Sequence, residues 1–83
     1  MSTPHHPEEL TRRVISVIAA VQHIPVEQIT ADSSLAELNI DSLDGINLLF
    51  ALENEFDISI PDEAARGLRT VRDMVDGVRG LIR

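Results

Sequence analysis

Apolar residues recur at spacings of three and four along three separate stretches of this chain, and no stretch alternates long enough to make a useful strand. The first stretch is Leu10, Val14, Val17, Ile18 and Val21; the second is Leu43, Ile46, Leu49, Phe50 and Phe56; the third is Val71, Met74, Val75, Val78, Leu81 and Ile82. Each is one stripe of a helix that needs partners to cover it. In 83 residues this leaves an all-α bundle of one domain, with residues 1–6 as a loose lead-in and 7–83 as the folded unit.

Punctuation sets the boundaries. Pro7 suits a first helical turn, and Glu8 and Glu9 suit the positive end of the dipole, so the first helix is predicted over about 7–22. Pro25 disfavours helix at Ile24. A long connection over 23–40 follows, with Val26, Ile29, Leu35, Leu38 and Ile40 as apolar pins and Ser34 with Glu37 as a capping box for one short turn. Asp41 is an N-cap for a helix over about 42–56. Pro61, Asp62 and Glu63 open a short helix over about 62–67, ended by Gly67. Thr70 caps the last helix, about 70–82. Gly45 stands inside the second helix, where glycine costs about 1 kcal/mol relative to alanine; the pattern alone allows either a close backbone approach or simple tolerance.

Composition then narrows the function. Without cysteine, disulfides and thiolate metal sites are excluded; this leaves the compartment open and is compatible with the cytoplasmic location expected here. Adjacent His5 and His6 lack a third ligand, so no metal site is expected. No unbroken apolar run exceeds that of Leu48 to Leu52, far short of the roughly 20 residues a bilayer requires, so no membrane insertion is expected. The net charge is −7, and ten acids but no base lie between Arg13 and Arg66. Such a field opposes nucleic-acid binding and favours encounter with basic protein partners.

One segment carries chemistry: Asp41-Ser42-Leu43-Asp44. Ser42 falls in the first turn of a helix, where unpaired N–H groups and the dipole favour an anion. A phosphodiester on its hydroxyl is tolerable there, and Asp41 and Asp44 keep such a group facing solvent. Taken alone, Asp-Ser before an apolar helix is more often just a cap. An EF-hand loop from Asp41 fails, since its third, fifth and twelfth positions are Leu43, Gly45 and Leu52. A Ser-His-Asp hydrolase through His23 lacks any suggested pocket or oxyanion hole, so no catalytic residue is expected. His23 reads as a solvated residue at the end of the first helix.

The surroundings of Ser42 strongly resemble the acyl carrier protein family. The likeness runs through Ile24-Pro25-Val26-Glu27-Gln28-Ile29, Asp32-Ser33-Ser34-Leu35, Leu38-Asn39-Ile40-Asp41-Ser42-Leu43-Asp44, Leu49-Phe50-Ala51-Leu52-Glu53-Asn54-Glu55-Phe56-Asp57 and Ile60-Pro61-Asp62-Glu63, in order and at the right spacing. It implies a four-helix bundle with one short helix. It implies a 4′-phosphopantetheine arm on Ser42, donated by coenzyme A through a Mg-dependent phosphopantetheinyl transferase. Acyl groups would ride as thioesters on the arm's thiol and be presented to acyl-loading, acyl-transferring or condensing enzymes of fatty-acid, polyketide or related lipid biosynthesis. A carrier-like subunit that never loads, and acts structurally or as a regulator, is the alternative. The family docks partners mainly on its second helix, which points to Asp41, Leu43, Asp44, Asn47, Glu53 and Glu55, with Asp62 and Glu63 beyond it. Family cargo slips between helices, which makes Leu48, Leu49, Leu52, Phe56, Ile60 and Leu68 candidates for a pocket. A monomer is expected.

Several departures from the family pattern bear on specificity. Asn39 stands where glycine is usual, and asparagine tolerates positive φ. Asn47 stands where an acid is common, and Gly45 replaces a bulkier residue. Arg66 and Arg69 add positive charge near the short helix, which suggests a specialised carrier with its own enzymes.

Overall fold

The computed structural model describes residues 7–82. The lead-in 1–6, with His5 and His6, and Arg83 at the far end lie outside the described residues. The elements are α1 (Pro7–Gln22), a single 3-10 turn (Val26–Gln28), α2 (Ser42–Phe56), α3 (Asp62–Arg66) and α4 (Val71–Leu81). The short helix and the last helix end slightly inside their expected bounds, because Gly67, Thr70 and Ile82 are caps and not helical residues.

Helix α1 packs against both α2 and α4. The core between them holds Val14 and Ile18 of α1, Leu48 and Leu52 of α2, and Val71, Met74, Val75 and Val78 of α4. Ile29, Leu38 and Ile40 add the long connection to the same core, and Leu35 packs half-buried against it. Val26 and Ile82 were expected to pin and to pack, but both are exposed. Val26 opens the 3-10 turn, which contributes no buried residue, and Ile82 leaves α4 in an extended conformation that carries it off the buried stripe.

Backbone hydrogen bonds lash the connection to the start of α4. Leu35 N–H donates to the Arg69 carbonyl at 2.9 Å, Val71 N–H to Ser33 at 3.0 Å and Arg72 N–H to Ala31 at 2.9 Å. The expected capping box is present: Ser34 N–H donates to the Glu37 carboxylate at 2.9 Å, and Glu37 N–H donates to Ser34 Oγ at 3.1 Å. Asn39 adopts φ 61°, the left-handed conformation its side chain tolerates. This turn brings Ile40 N–H back to the Leu35 carbonyl at 3.0 Å and aims the chain into α2. His23 (φ 58°) and Asp57 (φ 56°) close α1 and α2 in the same way.

The buried face of α2 is not the one its spacing suggests. Leu43, Ile46 and Phe50 are 69%, 49% and 59% exposed, whereas Leu48 and Leu52 are fully buried. This helix carries apolar side chains on two sides, so periodicity alone cannot choose between them. The choice is made by packing: Leu48 and Leu52 meet the apolar residues of α1 and α4 in the core. Arg13 of α1 reaches Glu55 at 3.1 Å and lies 4.6 Å from the centre of the Phe56 ring at the far end of α2. A Cβ on Gly45 would meet nothing within 4 Å, so α2 has no close backbone neighbour there.

Candidate functional site

Ser42 is the first residue of α2 and is exposed. Asp41 precedes it in an extended conformation and caps the helix, its carboxylate accepting from Asp44 N–H at 2.9 Å. The Asp41 carbonyl accepts from Gly45 N–H at 2.8 Å, closing the first turn beneath the serine. The Ser42 and Leu43 N–H groups have no intrahelical acceptor, because they belong to the first turn. The Ser42 hydroxyl makes no hydrogen bond within the described residues.

That hydroxyl sits at a groove of about 690 Å³, inside the ~300–1,000 Å³ range of small-molecule clefts. Leu35 and Ile40 of the long connection, Gly45 and Leu49 of α2, and Ala65 and Leu68 near α3 are among its walls. Asp41, Asp62, Arg66 and Arg69 supply its charged lining.

The residues expected to dock partners fall into separate groups. Asp41, Leu43, Asp44 and Asn47 surround Ser42 on the first two turns of α2. Glu53 is turned to a structural task, its carboxylate accepting from Ile60 N–H at 2.7 Å and so holding the turn after α2. Glu55 pairs with Arg13 on the α1 side. Asp62 lines the groove and Glu63 is exposed beside it. Ile46 and Phe50 join Leu43 in an exposed apolar stripe that the spacing had assigned to the core. The signal for that stripe was present in the sequence, but nothing in a single helix says which of two apolar sides meets water.

The pocket candidates also divide. Leu48, Leu49 and Leu68 line the groove beside Ser42. Leu52, Ile60 and Leu68 line a second, narrow space of about 10 Å³ between α2 and α4, closed further by Gly77, Val78 and Leu81. Phe56 lines neither and faces Arg13. Leu68 and Met74 border both spaces and so separate the groove from the interior.

Asp73, in the cap of α4, has its carboxyl held below the usual carboxylate value by hydrogen bonds from the Arg69 and Thr70 N–H groups, the Arg69 bond being the larger cause. Thr70 Oγ1 accepts from Asp73 N–H at 3.1 Å, completing the predicted cap. This box fixes the backbone of Arg69 at the groove edge. His23 is exposed at the end of α1 and is not a groove residue, so no histidine activates Ser42 among the described residues. No described helix is long and apolar enough to cross a membrane.

The described residues thus form a helical bundle whose second helix starts with an exposed serine, without a hydrogen bond among them, beside an open groove. The residues present fit a phosphopantetheine group, since the hydroxyl is free and the groove is large enough to receive an extended chain. Comparison with known proteins agrees. The sequence model for the phosphopantetheine attachment site matches residues 12–78. An acyl carrier protein of Thermosynechococcus vestitus is 39% identical over 75 residues, covering 89% of this chain and 93% of its own. One from Prochlorococcus marinus is 42% identical over 69 residues, covering 82% and 86%. The crystal structure of a Thermotoga maritima acyl carrier protein superposes with a TM-score of 0.77 at 29% identity, covering 89% of each chain. An apo doublet acyl carrier protein from prodigiosin biosynthesis shares the fold, with a TM-score of 0.79 at 22% identity over 90% of this chain and 37% of that one.

The chain belongs to the acyl carrier protein family. It is a carrier of acyl intermediates and not a catalyst, with 4′-phosphopantetheine as its prosthetic group and with phosphopantetheinyl transferase and biosynthetic enzymes as partners.

Proposed function

We propose that Ser42 is the residue that takes the arm from coenzyme A, within a carrier domain of residues 7–83, and that the loaded protein serves fatty-acid, polyketide or related lipid synthesis. The observation that carries this reading is the Ser42 hydroxyl itself: exposed, without a hydrogen-bond partner, and opening α2 at the groove. When bound, the arm supplies the thiol on which acyl groups are carried.

The chain's own residues do the rest. Asp41 holds the first turn, so that the serine is presented on a rigid element. Leu43, Ile46 and Phe50 form the apolar centre of the docking surface, flanked by Asp44 and Asn47. Exposed apolar stripes with charged rims suit protein contact, and the acids steer basic partners toward it. Asp62 and Glu63 extend the acidic rim across the groove. Glu53 and Glu55 are proposed to support the fold and not to dock, since both are already engaged. Leu68 and Met74 form the wall that must move if cargo is to pass into the narrow space beyond. Under this reading the protein works as a monomer among cytoplasmic enzymes.

Intact mass after incubation with coenzyme A and a broad-range transferase tests it. One phosphopantetheine is gained by the wild type and none by Ser42→Ala. No gain by the wild type, or a gain that survives the substitution, refutes the assignment.

A further inference from the structure

Two cationic side chains line the groove that the attachment serine opens into. Arg66 leaves the end of α3 and Arg69 lies between α3 and α4. The ion pairs among the described residues are Arg13–Glu55, Arg72–Asp32 and Arg79–Asp76, so neither Arg66 nor Arg69 is held in one. The acid nearest to Arg69 in the chain, Asp73, accepts from the backbone N–H groups of Arg69 and Thr70, and the Arg69 charge acts on it only as the smallest of the influences that lower its pKa. Asp41, also in the groove, accepts from Asp44 N–H. Asp62 is the remaining groove acid, and it makes no ion pair with either arginine.

The fold fixes where this charge lies relative to Ser42. The Arg69 carbonyl accepts from Leu35 N–H, and the Leu35 carbonyl accepts from Ile40 N–H, at 2.9 and 3.0 Å. Two hydrogen bonds therefore tie the backbone of Arg69 to the residue two places before the serine. In a chain of net charge −7, two guanidinium groups outside any ion pair among the described residues stand in one groove with Asp41 and Asp62, so the groove lining carries as many cations as acids. Each offers five N–H donors in a planar fork suited to phosphate oxygens and carbonyls.

We propose that Arg66 and Arg69 are positioning residues that hold the chain's own phosphopantetheine arm in this groove, donating to its phosphodiester and amide carbonyl oxygens while Leu35, Leu49 and Leu68 cover its apolar parts. The occupant is chosen by charge and by tethering. The arm is anionic where it begins, it starts at a groove residue, and its attachment makes binding intramolecular. The inference rests on Ser42 as the attachment site. It adds that the arm divides its time between the groove and solvent, with the arginines setting the balance.

The test compares apo and holo protein by amide NMR at low and high salt, with phosphorus NMR of the phosphodiester. In the wild type, loading should shift the Gly45, Leu49, Ala65 and Leu68 amides, and added salt should move them back toward their apo positions. In holo Arg66→Gln/Arg69→Gln the ratio of groove-held to free arm should fall roughly two- to fivefold, the scale of exposed charge pairs, and Arg66→Lys/Arg69→Lys should restore part of it. A loaded wild type whose groove amides match the apo protein, or shift without dependence on salt, overturns the proposal while leaving Ser42 as the attachment site. Equal shifts in wild type and the glutamine variant overturn it as well. The salt series needs no variant, so it decides the matter even if a substitution prevents loading. A protein that never loads removes both readings, and the mass measurement identifies that case.

Discussion

Replacing Leu52 and Phe50 by alanine, one at a time, should separate the inward and outward sides of α2. Leu52 is fully buried among α1, α2 and α4, whereas Phe50 is 59% exposed although it is the larger side chain. Truncating a buried leucine loses its transfer free energy and leaves a cavity, at a cost of about 3 kcal/mol. For a domain of this size each kcal/mol moves Tm by roughly 4–8 °C, so Leu52→Ala should melt about 12–24 °C lower. Phe50→Ala removes more atoms but mostly from water, and should stay within about 0.5 kcal/mol of wild type. Thermal and urea melts followed by circular dichroism measure both. The functional consequence should run the other way: Phe50→Ala should load more slowly in a transferase assay at a temperature where it is fully folded, because the proposed docking stripe loses its largest side chain. A Phe50→Ala protein as unstable as Leu52→Ala would refute the assignment of faces and return the Leu43–Ile46–Phe50 stripe to the core.

Asp44→Arg should keep the fold, with a loss below about 1 kcal/mol from reversing a favourable charge at a helix start; transferase kinetics should weaken at low salt, with the deficit shrinking as salt rises, and unchanged kinetics at low salt would count against steering. Asn39→Ala should lower stability by about 1 kcal/mol, because alanine lacks asparagine's tolerance of φ 61°, while Asn39→Gly should not; urea midpoints of the two variants check this. Asp73 has a carboxyl pKa depressed in the folded state, so its contribution is complete above the unfolded value of about 3.9 and is lost as pH falls through the folded value. The stability gap between wild type and Asp73→Asn should therefore be constant from neutral pH down to that region and close below it, as urea melts across pH will record.

Helix limits were legible in the sequence because local chemistry sets them. Asp41 and Thr70 cap by bonding N–H groups three residues on, Pro7 suits a first turn, and Asn39 can adopt a left-handed φ; each needs only its chain neighbours. The candidate attachment residue was legible for the same reason, since a helix start and a serine are both local facts. The division among the acids expected to dock was not, because the partners that claim Glu53 and Glu55 lie elsewhere: the Ile60 N–H beyond the turn and the Arg13 guanidinium on another helix.

What the sequence determined by itself was an all-α chain with Ser42 opening its second helix. The tertiary structure alone decided which of two apolar sides of α2 is buried, because that depends on where α1 and α4 press. It also decided that Arg66 and Arg69 share a groove with Ser42, since backbone hydrogen bonds bring together residues more than twenty positions apart. Period and capping are properties of one helix; burial and the placing of charge are properties of how several helices meet.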